Sequence, residues 1–553
     1  MGNYDLCPEG HQKLSCLLFK CLVFVCVLVG KRERKEHFTN FPFNWLEIIK
    51  EKEGRRMEGT WIFLIVLLAI LLLLYFLKQQ WSRQHFPPGP LALPLIGGIW
   101  KINFGTGYNV DTPMQFAEQY GNIFTLWVGH MPVVFLSGFQ AVKEGLVDHS
   151  EEFSERPQSP FLTTIGKGKG IVFSNGHTWK QQRRFGVVTL RKLGVGKKSM
   201  EGQIEEESRQ LVELFAREKG QPFDPALPIT NSVSNVICAM TFGYRFPLED
   251  ETFKELIDAI TYSLKFGGSP FHLLYEMFPW LMKHLPGPHK EALHTIEMVL
   301  SLAKKEIRKH KEQKSFQEPR DFIDFFLLEI EKDQRRNDPT STYDEENLAQ
   351  DIHDLFLAGT EAIIISLKWA VLLLANHPDI QDKAYKEIED VLSSSSFSYQ
   401  DLKKLPYTNA VLHEIQRSKY SSLFGVPRQT ATDVKMRGFL IPKGTTVITN
   451  LRSVLLDPEH WESPNEFNPK HFLDQDGHFV AREEYLGFGA GARACLGEHL
   501  ARMEFFIFLV NLLRAFRFEL PPGVKKLNEE PVAGFITPPH PYKVCALHRC
   551  GSS

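Results

Sequence analysis

The chain has 553 residues, 43% apolar and 24% charged, which supplies a large buried core and excludes a disordered or linker protein. Sixty-four Lys and Arg nearly balance 66 Asp and Glu, a formal charge of -2, which argues against a nucleic-acid binder. Eight cysteines, with Cys7, Cys16, Cys21 and Cys26 crowded at the start and no C-x-x-C pair, exclude a disulfide scaffold and a zinc ribbon.

Trp61 to Leu77 carries no charge over 17 residues. At about 1.5 Å per residue it reaches roughly 25 Å, close to a bilayer core, with Trp61 and Trp81 as interfacial anchors. A membrane anchor is favoured over a buried core helix. A second apolar stretch, Leu14 to Gly30, is interrupted by Lys20. If both spanned, the Lys and Arg between them would stay in the cytosol and the rest of the chain would cross. Met57 opens a complete single-anchor N-terminus by itself. Residues 1–56 are therefore expected to be an extension outside the native protein, 57–85 an anchor and its flank, and 86–553 one large mixed domain.

Phe86 to Gly97 has prolines at 87, 88, 90 and 94, which favour extended polyproline II and predict a stiff spacer after the anchor. From about Asn109 to Asn376 the pattern is mostly helical, with strand-like runs at Ile123–Val128 and Pro132–Leu136. One long helix is predicted from Glu345 to Asn376, stopped by Pro378. It is apolar almost all round from Leu355 to Leu374, so it should cross the centre of the protein. Gly359 costs such a helix about 1 kcal/mol and implies close approach to its backbone, by a bound group or by a packed helix. After Pro406 the chain turns to short strands and loops, then to a helix near Leu496–Phe516.

The segment Phe488-Gly-Ala-Gly-Ala-Arg-Ala-Cys-Leu-Gly497 places Cys495 in a glycine-rich loop at a helix N-terminus, where backbone amides lower a thiol pKa. Such a thiolate is a nucleophile or a metal ligand; an inert buried cysteine is the alternative. The complete F-x-x-G-x-R-x-C-x-G pattern resembles the haem-ligand loop of the cytochrome P-450 family. Glu414-Ile-Gln-Arg417 resembles that family's E-x-x-R ion pair. Read with His413 it is H-E-x-x-R, one residue from a zinc-protease motif, but Arg417 cannot ligate zinc. Trp179-Lys-Gln-Gln-Arg183 resembles its W-x-x-x-R, and Pro464 to Phe472 its P-x-x-F-x-P-x-x-F stretch, with His471 where many members have Arg.

The resemblance covers Phe86 to Cys545 and is nearest to microsomal family 2, in particular its fatty-acid epoxygenase subfamily. It implies a mainly α fold, a large helical domain with a small β domain, plus the N-terminal anchor. It implies haem b (iron protoporphyrin IX) with Cys495 as iron ligand, and Trp179, Arg183, Arg428 and Arg493 around its propionates. Glu414 and Arg417 would be structural. The activity implied is insertion of one atom of O2 into an apolar fatty acid, steroid or xenobiotic. Electrons would come from NADPH through the flavoprotein reductase, with cytochrome b5 and membrane lipid as further partners and no nucleic acid. The location implied is the endoplasmic reticulum membrane, with one N-terminal anchor and a cytosolic catalytic domain. By family position Phe161, Leu162, Phe356, Ala358, Leu423 and Ile536 would line the substrate pocket.

Two further segments are read against this background. Gly166-Lys-Gly-Lys-Gly170 lacks the [ST] of a phosphate loop and is expected to be a flexible loop over the pocket. Lys180, Arg183, Arg184, Arg191, Lys192, Lys197 and Lys198 form a basic run, either a solvated face or a docking surface for the acidic reductase.

The chain departs from the family at Ala358-Gly-Thr-Glu-Ala-Ile363. The family pattern is A-G-x-[DE]-T, so Ala362 replaces a hydroxyl held to support proton delivery. Glu361 remains as a proton source, and Thr360 points about 200° away from where Ala362 faces. A monooxygenase with altered proton delivery is the leading expectation. The alternatives are a haem-thiolate peroxide-rearrangement enzyme working without reductase and a low-turnover haem-binding protein.

Overall fold

The computed structural model describes residues 45–102, 112–194, 198–313, 319–392, 397–419, 422, 424–532, 534 and 536–549. Leu14–Gly30, Lys197 and Leu423 lie outside them. Two compact units divide the chain between Gln84 and His85.

The first unit holds helix α1, Trp45–Arg83. Its stretch Thr60–Lys78 is long and apolar enough to cross a membrane, and none of it is buried by protein. The helix begins well before the apolar run that marks it in the sequence.

The second unit is mainly helical with a small β part. Strands β1 (Ile123–Val128) and β2 (Met131–Leu136) form a hairpin in register Ile123↔Leu136. Each is apolar enough to be buried along most of its length, as expected of strands covered on both faces. Strands β3 (Arg428–Gln429) and β6 (Thr446–Thr449) complete a sheet of order β1-β2-β6-β3, in which β2 and β6 run parallel. Two further hairpins pair β4 (Val434–Met436) with β5 (Phe439–Ile441) and β7 (Phe516–Glu519) with β8 (Cys545–His548).

The proline-rich segment is not a free spacer. Its Pro88 carbonyl accepts from Thr125 N at 2.8 Å, Gly98 N donates to Trp127 O at 2.6 Å, and Gly129 N to Ile96 O at 3.2 Å. An edge strand has backbone groups to satisfy, and an extended segment beside β1 satisfies them.

The helices that position the site are α2 (Pro160–Gly166), α3 (Gly176–Gly194), α4 (Ala226–Phe242), α5 (Glu251–Gly267), α6 (Pro270–Met277) and α7 (Pro288–Gln313). They are followed by α8 (Phe322–Arg336), α9 (Glu345–Gly359), α10 (Glu361–Asn376), α11 (Pro406–Ser418) and α12 (Glu498–Ala515). α4, α10 and α12 share the main apolar core, in which Ile363–Ile365, Leu367 and Trp369–Ala375 are buried on every side of α10. At about 1.5–3 kcal/mol per fully buried large apolar side chain, this is the segment the fold can least spare.

The predicted helix from Glu345 to Asn376 is interrupted in its hydrogen bonding at Thr360, whose backbone (φ −90°, ψ −67°) stays in the right-handed helical region. The ladder is stretched there: Thr360 N reaches Phe356 O at 3.3 Å, and Ile364 N reaches Thr360 O at 3.2 Å. Gly359 is explained by packing, since a Cβ would stand 2.8 Å from Ile237 Cδ1 on α4.

Candidate functional site

The loop carrying Cys495 is closed by a hydrogen bond from Cys495 N to Phe488 O at 2.9 Å. It is seated on the segment around Leu146 to Ser150. Gly491, at φ +69°, has no room for a side chain, because a Cβ would meet Leu146 O at 1.8 Å, and Ala492 N donates to Ser150 Oγ at 2.7 Å. The loop feeds α12 through Gly497. The Cys495 side chain is exposed by surface area although protein encloses it on most sides, which is the condition of a group lining an internal hollow.

The thiol does not follow the sequence expectation of a lowered pKa. Burial pushes it up, and Glu498 in the first turn of α12 adds to that; the Gly497 amide and the Arg183 and Arg502 charges pull the other way without winning. Desolvation outweighs the helix terminus.

Four guanidinium groups gather close to this loop. Arg493 donates from Nε to Ser154 O (2.7 Å), from Nη2 to Ser174 O (2.6 Å) and from Nη1 to Ile171 O (3.2 Å). Arg183 Nη2 donates to Ala494 O at 2.7 Å and Arg428 Nη2 to Ala490 O at 2.9 Å. The fourth is Arg156, absent from the sequence-derived set. It donates to Val426 O, Pro427 O and Val172 O at 2.7, 2.8 and 3.0 Å.

Burial and mutual repulsion lower all of these groups except Arg183, for which burial alone acts downward. Arg156 is driven well below its ordinary value by burial and then by Arg493, Arg428 and Arg183. Arg493 falls to about 9 and Arg428 to about 10 for the same reasons, and of the carboxylates only Glu155 acts on Arg493, weakly. Among the described residues, Arg428 Nη1 and Trp179 Nε1 are buried donors without a partner. A cluster of buried cations with unspent donors is costly unless a multiply charged anion joins it. Haem b fits this donor set: an accessible thiol for iron, with guanidiniums and an indole N–H for two propionates.

Glu414 and Arg417, one turn apart on α11, form a fully buried bidentate pair at 2.7 and 2.7 Å. Arg417 also donates to the carbonyls of Leu455, Pro464 and Glu466, while Glu414 Oε1 accepts from Asn468 N and pairs with His471 Nδ1. His413 is no metal ligand here. Its Nδ1 donates to Asn409 O and its Nε2 accepts from Arg502 at 2.6 Å, and burial followed by the Arg502 charge lowers it to about 4.

On the interior helix pair, exposure returns in the middle. Ala358 is exposed, and Leu357, Glu361 and Ala362 are half-buried, between stretches that are wholly buried. A central helix opened only at mid-length borders an internal chamber. Thr360 is buried with Oγ1 unpartnered, and the Ala362 carbonyl accepts from Ser366 Oγ at 2.8 Å. Glu361 Oε1 accepts from Thr261 Oγ1 at 2.8 Å.

Of the expected pocket lining, Leu162 and Ile536 are half-buried. Phe161 is packed among Phe266, His272 and Tyr275, and Phe356 lies in the main core with its ring 5.3 Å from Phe242. Both rings face protein. The Gly166–Gly170 loop is clamped: Lys169 pairs with Asp344 at 2.9 Å, and Asp354 Oδ2 accepts from Ile171 N and Val172 N at 2.8 Å each. Gly170 is needed because a Cβ would meet Gln350 Cγ at 2.5 Å. In the basic run Arg183 turns inward to the Cys495 loop, whereas Lys180, Arg184, Arg191 and Lys192 are exposed.

Arg156 and Thr261 escaped sequence reading because single residues outside a spaced motif leave no periodic signal. Counting cations against a dianion could have flagged the first.

The family profile described as Cytochrome P450 matches residues 87–546. Among curated proteins the chain is 41% identical to Cytochrome P450 2J5 of Mus musculus, over 88% of this chain and 96% of the relative. It is 40% identical to Cytochrome P450 2J2 of Homo sapiens, over 87% and 94%, and 40% identical to Cytochrome P450 2C39 of Mus musculus, over 88% and 99%.

Proposed function

The chain belongs to the cytochrome P450 family and is a monooxygenase, and from that premise we propose a membrane-anchored enzyme that oxidises an apolar substrate with weak control over proton delivery. The observation that carries the reading is the cluster of Arg156, Arg183, Arg428 and Arg493 beside the accessible Cys495 thiol. Cys495 would ligate the haem iron. Arg428 Nη1, Trp179 Nε1 and the inward-facing Arg183 would hold the propionates, while Arg156 and Arg493, whose donors are tied to carbonyls, would act chiefly through charge. When bound, haem b supplies activation of O2 at a thiolate-ligated iron.

The chain's own residues then do three things. The loop glycines and the Glu414–Arg417 pair hold the thiol in place. Ala358 and Leu357 keep the chamber wall apolar, so substrates are selected by shape and burial at about 25 cal/mol per Å². Such a wall discriminates poorly, so fatty acids, steroids and xenobiotics all remain within its class. Fatty acids head that list by likeness to the epoxygenase subfamily. Glu361 stands near the chamber as a carboxyl able to relay a proton, next to an Ala362 that offers no hydroxyl. Electrons would come from NADPH through the flavoprotein reductase, docked on the exposed face around Lys180, Arg191 and Lys192, with cytochrome b5 as an accessory donor. The apolar stretch Thr60–Lys78 supports a single anchor in the endoplasmic reticulum membrane with the body in the cytosol.

The test is reconstitution of the full chain with reductase, NADPH and 18O2 on an unsaturated fatty acid, a steroid and a lipophilic drug. Product carrying one labelled atom, dependent on reductase and lost in Cys495→Ser, is the expected result. Product from a hydroperoxide alone, with none from NADPH, would replace this reading with peroxide rearrangement.

A further inference from the structure

Glu361 opens α10 at the chamber wall, and its carboxylate is held from outside its own helix. Thr261 Oγ1, on α5, donates to Glu361 Oε1 at 2.8 Å across 100 residues of sequence. Among the described residues no hydroxyl of the interior helix bonds it. Ser366 Oγ is spent on the Ala362 carbonyl, Thr360 Oγ1 is buried without a partner, and Ala362 has none. Among the described residues Thr261 is the one alcohol bonded to this acid.

We propose that Thr261 is a positioning residue for proton delivery in this chain, fixing the Glu361 carboxyl beside Ala362 in place of a hydroxyl on the interior helix. The proposal rests on the monooxygenase reading. Productive turnover joins substrate, O2, two electrons from NADPH through the reductase and two protons to give oxidised substrate and water. The leak takes the same electrons and protons to hydrogen peroxide. Protons come from solvent by way of Glu361, and Thr261 gives none up: it sets where the carboxyl stands. Through this bond the carboxyl is tied to α5, which itself packs against α7 and α9. A substrate that shifts α5 should therefore change coupling.

The experiment uses the haem-loaded full chain with reductase, NADPH and linoleate, measuring product and peroxide per NADPH. Thr261→Val is expected to raise the peroxide-to-product ratio about fivefold, the scale of one hydrogen bond, and Thr261→Ser to restore it. In an Ala362→Thr background the same Thr261→Val change should have little effect, because the helix then supplies its own hydroxyl. Product formed from cumene hydroperoxide, which needs no reduction of O2, should fall far less with Thr261→Val than product formed from NADPH. Independently of turnover, Thr261→Val and Glu361→Gln should be non-additive in the melting temperature of the haem-loaded protein. If Thr261→Val fails to accumulate haem, Thr261→Ala is read in the same way. Equal coupling in wild type and Thr261→Val, or an equal loss with Thr at 362, overturns the proposal. A wild-type protein giving no reductase-dependent product overturns the monooxygenase reading instead.

Discussion

The Arg493 guanidinium lies over the Trp179 indole, its central carbon 3.9 Å from the ring centroid. The stack joins the Cys495 loop to α3, and Arg493 continues it with bonds to the carbonyls of Ser154, Ser174 and Ile171. With its donors committed to carbonyls, Arg493 acts on an anion mainly as charge. Among the described residues Arg428 and Trp179 are the members with a buried donor left without a partner.

That division makes Arg428→Met informative. Arg428 gives one bond to Ala490 O and keeps Nη1 buried without a protein partner, while repelling Arg183. Removing it relieves repulsion in the haem-free protein and deletes a charge-assisted donor from the loaded one, worth about 1.5–3 kcal/mol. Haem titration should show at least tenfold weaker retention at that energy, while the melting temperature of the haem-free protein stays level or rises. A parallel fall in both would make Arg428 merely structural.

The Glu414–Arg417 pair should behave in the opposite manner, as scaffold. Both groups are fully buried, and each has further partners, so removing one strands the other. Glu414→Ala or Arg417→Ala should each cost about 3–5 kcal/mol, and the double variant clearly less than their sum. Arg417→Lys should not rescue, because an ammonium cannot span the carbonyls of Leu455, Pro464 and Glu466 together. Denaturant unfolding of the four proteins measures this, and additive losses would mean the two residues act separately.

Glycines in the Cys495 loop separate by contact rather than by conformation. Gly489 and Gly491 share φ +69°, but a Cβ at Gly489 meets nothing within 4 Å, whereas at Gly491 it meets Leu146 O at 1.8 Å. Gly489→Ala should cost only the left-handed backbone penalty, about 1–2 kcal/mol. Gly491→Ala must lift the loop off Leu146 and should sharply reduce haem content at equal protein yield. Equal haem content in the two variants would show that the loop is free to shift.

The elements legible in the sequence were those with local signals: the all-apolar α10, the β1 and β2 strands and the glycine-spaced loop at Cys495. Three features depended on distant partners and left no such signal. Whether Phe86–Gly97 stands free or docks depends on the open edge of β1. The need for Gly359 depends on where α4 places Ile237. The Cys495 thiol was misjudged because a helix terminus is visible in sequence and desolvation is not. Arg156 was missed for the same reason, since its meaning lies in the three arginines folded against it.

Asp351 on α9 gives the clearest pH dependence. It is fully buried, neither carboxylate oxygen has a partner among the described residues, and burial, then Asp354 and Asp344, raise it well above the usual carboxylate range. Asp354, one turn later, is instead satisfied by the amides of Ile171 and Val172. Because the folded state keeps the Asp351 proton to higher pH than the unfolded chain, folding gains from it at low pH. That gain is lost as pH rises from the unfolded value toward the folded one. Asp351→Asn preserves the neutral shape and cannot ionise. Its melting temperature should therefore exceed that of wild type by a margin that grows between about pH 5 and pH 8 and vanishes toward about pH 4. A margin that is flat with pH, or a variant less stable at pH 8, would mean that Asp351 is ionised and paired in the folded protein.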